Sequence, residues 1–153
     1  MVAYALGRRD KRSLDNCHFL SANVNVDLDA VVTNVVSGGG RVRTVSVQFP
    51  DPHFKNSQKK RRVVTEEFVE GLGRRMREGG VGDERVWLQS DIKDVLDDMR
   101  EVFRESRHFV DTEGEGEYVK DNWMGIKTER EISVENKGLP VWRALFKVAE
   151  GSA

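Results

Sequence analysis

The chain has 153 residues and a mass of 17.4 kDa, a size that predicts one domain over residues 1–153. Its 25 Lys and Arg residues are balanced by 26 Asp and Glu residues, and the net charge of −1 excludes a uniformly basic nucleic-acid-binding coat. No apolar run reaches the ~18 residues of a membrane span. The single Cys17 excludes an internal disulfide and makes no zinc motif with the three histidines.

The first half of the chain predicts a helix, a strand, a helix and a strand. Residues 2–11 are typical of the end of a helix, and their apolar run is too short for a secretory signal. A short strand is predicted at 18–22. Apolar residues at helical spacing over 27–36 predict a helix that stops at three consecutive glycines, and strict alternation over 44–49 predicts the next strand.

The middle of the chain predicts a helix followed by a strand. Thr65 has the side chain of a helix N-cap, and two glutamates follow it in the first turn, where the helix dipole favours them. This helix is predicted to end at the adjacent glycines 79–80. The apolar segment 86–89 is typical of a buried strand.

The last third predicts a strongly amphipathic helix, a long loop and a strand. Ser90 or Asp91 is the predicted cap of the helix, which buries apolar residues between 92 and 103. Residues 111–122 are typical of a polar loop, and 140–148 of a final strand. Because helices and strands alternate at this spacing, we expect an α/β fold with a mostly parallel sheet and helices on both faces.

Two glycine clusters do not fit a nucleotide-binding turn. Such a turn leads from a strand through the glycines into a helix N-terminus. Gly71 and Gly73 lie within a predicted helix, and the glycines at 38–40 precede a strand instead.

A carboxylate between two prolines follows the strand at 44–49. Pro50 fixes its own backbone angle, and Pro52 keeps Asp51 out of the helical region. We therefore expect a stiff, extended exit that holds Asp51 at the carboxyl edge of the sheet, where ligands of open α/β sheets bind. The alternative is a solvated Asp in a loop bounded by prolines.

A basic run follows this carboxylate directly. Residues 55–62 contain five basic and no acidic side chains, whereas 91–117 contain ten acidic and four basic ones. This asymmetry predicts a phosphate-binding face, with a solvated loop as the alternative. A nuclear-localisation signal is disfavoured because the run lies between a strand and a helix of a folded unit.

Four segments, in order along the chain, resemble the motifs of the tRNA (guanine-N7-)-methyltransferases. The most specific reads Phe-Pro-Asp-Pro-His-Phe-Lys at 49–55 and continues into a Lys-Lys-Arg-Arg run; family members have Trp-His where this chain has His-Phe. The four segments are residues 16–24, residues 49–64, residues 88–91 and residues 127–146. The resemblance covers about residues 14–148.

The resemblance implies a Rossmann-like class I methyltransferase that uses S-adenosylmethionine as methyl donor. The family's glycine-rich turn after the first strand and its acidic residue after the second strand have no counterpart in this sequence. We therefore expect an N-terminally truncated fold without the first two strands, in which the strand at 18–22 lacks its neighbour.

The resemblance also assigns roles to individual residues. Asn23 contacts the methyl donor, and Asp51 contacts the donor and is the catalytic residue. Asp91, Thr128 and Glu131 contact the guanine. The remaining RNA-binding residues are Lys55, Ser57, Gln58, Lys59, Lys60, Arg61 and Arg62.

The implied reaction is methylation at N7 of a variable-loop guanine, position 46, of tRNA. A catalytically inactive, tRNA-binding remnant of such an enzyme is the alternative, and an unrelated scaffold domain would leave the two prolines around Asp51 unexplained. The resemblance implies a monomer or a protein with an accessory subunit, in the cytoplasm or else in a plastid or mitochondrion.

Overall fold

The computed structural model describes residues 2–52, 62–78 and 82–150. Within these residues there are five helices and four strands, which alternate from α2 onward. They are α1 (Val2–Lys11), α2 (Val24–Ser37), β1 (Thr44–Gln48), α3 (Glu66–Glu78), β2 (Arg85–Ser90), α4 (Lys93–Glu105), β3 (Phe109–Asp111), α5 (Glu129–Glu135) and β4 (Trp142–Val148).

The four strands form one sheet in the order β1-β2-β4-β3. Strands β1 and β2 are parallel, whereas β4 runs antiparallel to both of its neighbours, β2 and β3. The α/β class is confirmed, but the sheet is mixed rather than mostly parallel. Strand direction depends on the route of the connecting chain, which the alternation of apolar residues does not encode.

The strand predicted at 18–22 is wrong. These residues form no strand, and Phe19 and Leu20 are exposed, Leu20 by 70%. A strand is stabilised by hydrogen bonds to a neighbouring strand, and no such partner lies beside this segment in the described part of the chain. The following helix, predicted from residue 27, begins three residues earlier at Val24.

Helices α3 and α4 cover one face of the sheet. Val47, Leu88 and Ala144 are cross-strand neighbours on this face, as are Val86 and Phe146 in the next row. They pack against two groups of helical side chains, Phe68, Val69, Leu72 and Met76 of α3 and Val95, Leu96, Met99 and Phe103 of α4. The periodicity of these two helices therefore identified their buried sides correctly.

The short helix α5 lies on the opposite face. Side chains alternate across a strand, so Gln89 of β2 and its cross-strand neighbour Arg143 of β4 point away from α3 and α4. Glu131 of α5 accepts a hydrogen bond from Arg143 there. Helices on both faces are thus confirmed. Both α5 and the three-residue β3 were missed by the sequence reading, because one to two turns of helix and three residues of strand are too short to show a period.

The two predicted helix caps have different outcomes. The Thr65 hydroxyl accepts a hydrogen bond from the Phe68 amide at 3.2 Å, which confirms Thr65 as the cap of α3. The N-cap position of α4 is Ile92, and the Ser90 hydroxyl accepts from its amide instead, at 3.1 Å. Asp91 is therefore not a cap, and its carboxylate is available for another contact. None of the described helices has the length and apolar character needed to cross a lipid bilayer.

Candidate functional site

The carboxyl ends of β1 and β2 meet at one edge of the sheet. The strands are parallel and in register, with Gln48 opposite Gln89, and the Phe49 amide continues the ladder by donating to the Gln89 carbonyl at 2.8 Å. Asp51 and Asp91 each follow this last rung by two residues. The two carboxylates that the sequence singled out therefore leave the sheet at the same edge.

The exit from β1 begins with a turn. Phe49 has a φ of 50°, in the left-handed region that residues with a side chain seldom adopt. The strand predicted over 44–49 therefore ends one residue early, at Gln48, because the chain bends before Pro50. A non-glycine residue in this region costs on the order of 1 kcal/mol or more, and such strain is concentrated at functional segments.

A narrow pocket of about 40 Å³ opens beside Asp51. Its walls combine residues 50–52, residues 62–64 and apolar side chains of α4. The Arg62 guanidinium reaches across to Asp98 of α4 at 2.9 Å. Asp51 itself is exposed, so its carboxylate faces solvent next to an apolar cavity with a cation at its rim.

The N-terminus of α2 is tied to the same region. Asn23 is the N-cap of α2, where its side chain accepts a hydrogen bond from the Asn25 amide. The Asn25 side chain in turn donates to the Arg62 carbonyl at 3.0 Å and accepts from the Thr65 hydroxyl at 3.0 Å. Asn23 was expected at the end of a strand. As a helix cap it still lies on the segment that contacts residue 62, which lines the pocket of Asp51.

Asp91 is joined to α5. Its Oδ2 forms an ion pair with Arg130, whose side chain is 57% exposed, whereas that of Asp91 is 19% exposed. This pair links the carboxyl end of β2 to the first turn of α5. The structure therefore brings Asp91 and the turn at 128–131 together, as the sequence reading required.

Thr128 and Glu131 form a reciprocal capping box. The Thr128 hydroxyl accepts from the Glu131 amide at 3.1 Å, and the Glu131 carboxylate accepts from the Thr128 amide at 3.4 Å. This pattern is the local reason that a helix begins at residue 129. The Thr-x-x-Glu spacing of residues 128–131 thus marks a helix start, in a segment for which the sequence analysis predicted no helix.

Glu131 is fully buried, with a relative exposure of 0%. Oε1 accepts from Arg143 at 2.7 Å, and Oε2 accepts from Asn122 at 2.7 Å. Burial alone raises the pKa of Glu131, but hydrogen bonds from Arg143 and Asn122 outweigh it and hold that pKa below its ordinary value. Direct contact between Glu131 and a guanine, as the resemblance implies, would require one of these hydrogen bonds to open.

The expected site residues thus fall into two groups at one edge of the sheet. Asp51 and Arg62 line the pocket against α4, with Asn23 at the N-terminus of the helix that contacts residue 62, and Asp91, Thr128 and Glu131 lie with α5. No hydrogen bond or ion pair between described residues joins Asp51 directly to Asp91 or Thr128. The other predicted RNA-binding residues lie outside the described residues, namely Lys55, Ser57, Gln58, Lys59, Lys60 and Arg61.

The sequence reading missed Asn122, Arg143 and Gln89, which surround Glu131. The sequence offered a signal for Arg143, because it is a charged residue inside the apolar strand Trp142–Val148. In the structure it is only 6% exposed. A buried charge requires a partner of opposite charge, which pointed to a carboxylate on a neighbouring element. Asn122 lay in a segment without periodicity and gave no comparable signal.

Comparison with known proteins identifies relatives over most of the chain. Residues 1–144 match the model of a family described as "Putative methyltransferase". A protein of Trichormus variabilis named tRNA (guanine-N(7)-)-methyltransferase is 37% identical over 139 residues, which are 91% of this chain and 61% of the relative. One of the same name from Thermosynechococcus vestitus is 40% identical over 147 residues, which are 96% of this chain and 64% of the relative.

A third relative of that name, from Microcystis aeruginosa, is 37% identical over 148 residues, which are 97% of this chain and 67% of the relative. The chain therefore spans about three fifths to two thirds of the length of the curated relatives that it matches.

Proposed function

The chain belongs to this methyltransferase family, and on that premise we propose that it transfers a methyl group from S-adenosylmethionine to N7 of a guanine in tRNA. The observation that carries the proposal is that Asp51 and Asp91 follow the ends of two parallel, paired strands, with Asp91 bound to Arg130 of α5, in a chain 37–40% identical to proteins named for that activity. By the resemblance of its motifs, the target is the variable-loop guanine at position 46.

The reaction makes modest demands on the protein. Guanine N7 has a lone pair and no proton, so its attack on an electrophilic methyl group requires alignment rather than a general base. Alignment of this kind is worth ~7–11 kcal/mol in favourable intramolecular reactions. The residues at the edge of the sheet therefore act by holding the purine in place and by stabilising the charge that develops on it.

Asp51 is assigned the charge-stabilising role. The methylated purine is cationic, and a carboxylate fixed near it lowers the energy of the transition state. The two prolines and the turn at Phe49 restrict the backbone around Asp51. A restricted carboxylate loses less conformational entropy when it engages the substrate.

Asp91 and Thr128 are assigned to the Watson–Crick edge of the guanine. That edge presents N1–H and N2–H₂ donors, which a carboxylate and a hydroxyl oxygen can accept. Arg130 neutralises Asp91 in this structure, and guanine donors would share or replace this partner. Glu131 is assigned an internal role, because both of its oxygens already accept hydrogen bonds.

The chemistry of Asn23 and Asp51 fits part of a donor site. An amide and a carboxylate supply the hydrogen bonds that a nucleoside and an α-amino acid group require. When bound, S-adenosylmethionine would supply the electrophilic methyl group. Arg62 and the basic residues 55–61 are assigned to tRNA phosphates, whose binding offsets the few kcal/mol needed to expose the base.

Transfer of a labelled methyl group to a tRNA transcript tests the proposal. We expect label to enter the wild-type transcript and chain cleavage specific for N7-methylguanine to map it. A control transcript with adenine in place of the target guanine should stay unlabelled. A parallel titration measures donor binding. Binding of tRNA with neither donor binding nor transfer would favour the inactive, tRNA-binding alternative and contradict the proposed activity.

A further inference from the structure

A polar cluster, defined here as the Arg143 cluster, packs against the first turn of α5. It consists of the buried residues Gln89, Glu131 and Arg143 and the half-buried Asn122 and Glu135. The Arg143 Nη2 donates to Glu131 Oε1 at 2.7 Å and to Glu135 Oε1 at 3.0 Å. Nη1 donates to the carbonyls of residues 120 and 141 at 3.0 and 3.3 Å. One guanidinium thus joins β4, α5 and the end of the long loop.

The cluster is connected to the residues assigned to the substrate. The Glu131 carboxylate completes the capping box by accepting a hydrogen bond from the Thr128 amide. Asn122 donates to Glu131 and also to the carbonyl of Ile126, two residues before Thr128. Glu131 therefore fixes the first turn of α5. This turn positions the Thr128 hydroxyl and Arg130, which pairs with Asp91.

Glu131 can hold this position only while its charge is compensated. A fully buried carboxylate without a cation is strongly destabilised, and the side chain of Arg143, itself only 8% exposed, is the cation in contact with it. Arginine suits this position because its planar guanidinium can donate hydrogen bonds to two carboxylates and two carbonyls at once, which a lysine ammonium cannot.

We infer that Arg143 is a positioning residue, which fixes Thr128 and the first turn of α5 against Asp91 for guanine recognition. The inference rests on the proposed function. It assigns Arg143 no contact with the substrate. Its effect passes through Glu131, and it predicts a defect in tRNA recognition rather than in donor binding.

The experiment compares Arg143→Met and Arg143→Lys with Arg100→Met. Arg100 is a matched control because it is equally buried and bonds to a carboxylate and two carbonyls, those of Asp111, Gly114 and Glu117. It binds the first part of the same loop, residues 111–117, and forms no hydrogen bond to α5. Unfolding in urea, KM for tRNA, kcat and donor affinity are measured for each variant of the 153-residue chain.

We expect Arg143→Met to raise KM for tRNA about tenfold or more, since small displacements of positioning groups have effects of that order. Donor affinity should stay within about twofold of wild type, because the residues assigned to the donor lie with α2 and the pocket. Arg143→Lys should have a smaller effect. Arg100→Met should lose comparable stability with KM for tRNA unchanged.

The pH dependence of KM for tRNA separates a positioning role from a general loss of stability, because a general loss of stability adds no titration step. The groups facing Glu131 are Arg143, Gln89, Asn122 and Thr128, with Glu135 and its partner Lys127 next to them. Without the guanidinium, burial raises the Glu131 pKa, so KM for tRNA in Arg143→Met should acquire a titration step that wild type lacks. Glu131→Gln in the same background should remove that step.

Equal changes in KM for Arg143→Met and Arg100→Met, or no new titration step, would overturn the inference. Amide hydrogen exchange at residues 128–131 and the carboxyl titration of Glu131 do not depend on catalysis. Faster exchange in Arg143→Lys than in Arg100→Met supports the positioning role even if Arg143→Met does not fold; equal exchange contradicts it. Absence of transfer by wild type would contradict the proposed function alone.

Discussion

A Cβ atom added to Gly73 of α3 would lie 2.4 Å from the Cβ of His108, and no rotation of the imidazole relieves that contact. The close approach of α3 to the segment before β3 therefore depends on this glycine. The sequence placed Gly71 and Gly73 within a predicted helix and did not distinguish between them. The structure gives them different roles, because an atom added at Gly71 would meet the flexible end of Leu28 at 3.3 Å.

We expect Gly73→Ala to lower stability and Gly71→Ala not to lower it. Overpacking at Gly73 should lower the free energy of unfolding by about 1–3 kcal/mol. Gly71→Ala should leave it unchanged or raise it by up to about 1 kcal/mol, the gain in helix propensity. Urea unfolding of both variants measures this. Similar effects of the two substitutions would show that the contact with His108 does not control the packing of α3.

Stability should decrease as the pH falls below about 6.5, the ordinary pKa of histidine. Burial lowers the pKa of His108, the carboxylate of Glu70 opposes this, and Arg107, Arg77 and Arg74 lower it further. Just below the ordinary pKa, the unfolded chain therefore binds a proton at His108 that the folded chain does not bind. The folded state loses stability on acidification for this reason. Above the ordinary pKa both states are neutral, and His108 contributes no pH dependence.

Urea unfolding at about pH 7.5 and about pH 5.5, on either side of that ordinary pKa, measures this dependence. We expect His108→Gln to reduce the difference between the two pH values. His18 is exposed in the segment before α2, so His18→Gln is the matched control and should retain the full difference. Glu70, whose pKa is lowered chiefly by its hydrogen bond from Ser106, loses its contribution only in a more acidic window. An unchanged difference in His108→Gln would exclude His108 as its source.

Asp51→Ala should abolish methyl transfer while changing tRNA affinity only a few-fold. Loss of a fixed group that stabilises transition-state charge typically costs a hundredfold or more in rate, about 10²–10³. Asp51→Asn keeps the shape and removes the charge, so it should be nearly as inactive. Asp15→Ala, at an exposed position outside the assigned site residues, is the control for net charge. Near-normal turnover in Asp51→Asn would remove the carboxylate from the mechanism.

Replacing Lys59, Lys60, Arg61 and Arg62 by Gln should weaken tRNA binding and flatten its salt dependence. If each contacts one phosphate, the slope of log affinity against log salt should become shallower by about 3. The control replaces Arg8, Arg9, Lys11 and Arg12 at the end of α1, which changes the net charge equally. Equal flattening by both sets would mean that overall charge, rather than the run at 59–62, attracts the tRNA.

The sequence predicted those parts of the fold that depend on local pattern. The amphipathic spacing of α3 and α4 and the Thr65 cap agree with the structure, because side-chain period and capping are written in neighbouring residues. The direction of β4 and the absence of a strand at 18–22 depend on partners distant in the chain. No local pattern specifies such partners.

The candidate site was predicted to a similar degree. The placement of Asp51 and Asp91 after the ends of two neighbouring strands follows from motif order and a parallel β1–β2 pair. The turn at Phe49, the Asp91–Arg130 pair and the burial of Glu131 do not, because each requires side chains from separate elements to be placed in three dimensions. Of the basic run, only Arg62 lies in the described part of the chain.

The position of β4 has a consequence for biosynthesis. Strands β2 and β3 are separated in the sheet by β4, which is made after both of them. During translation, β3 therefore has no neighbour among the described strands until residues 142–148 have left the ribosome. We expect the described sheet to resist protease only after β4 has been released, although most of its apolar core has been synthesised long before.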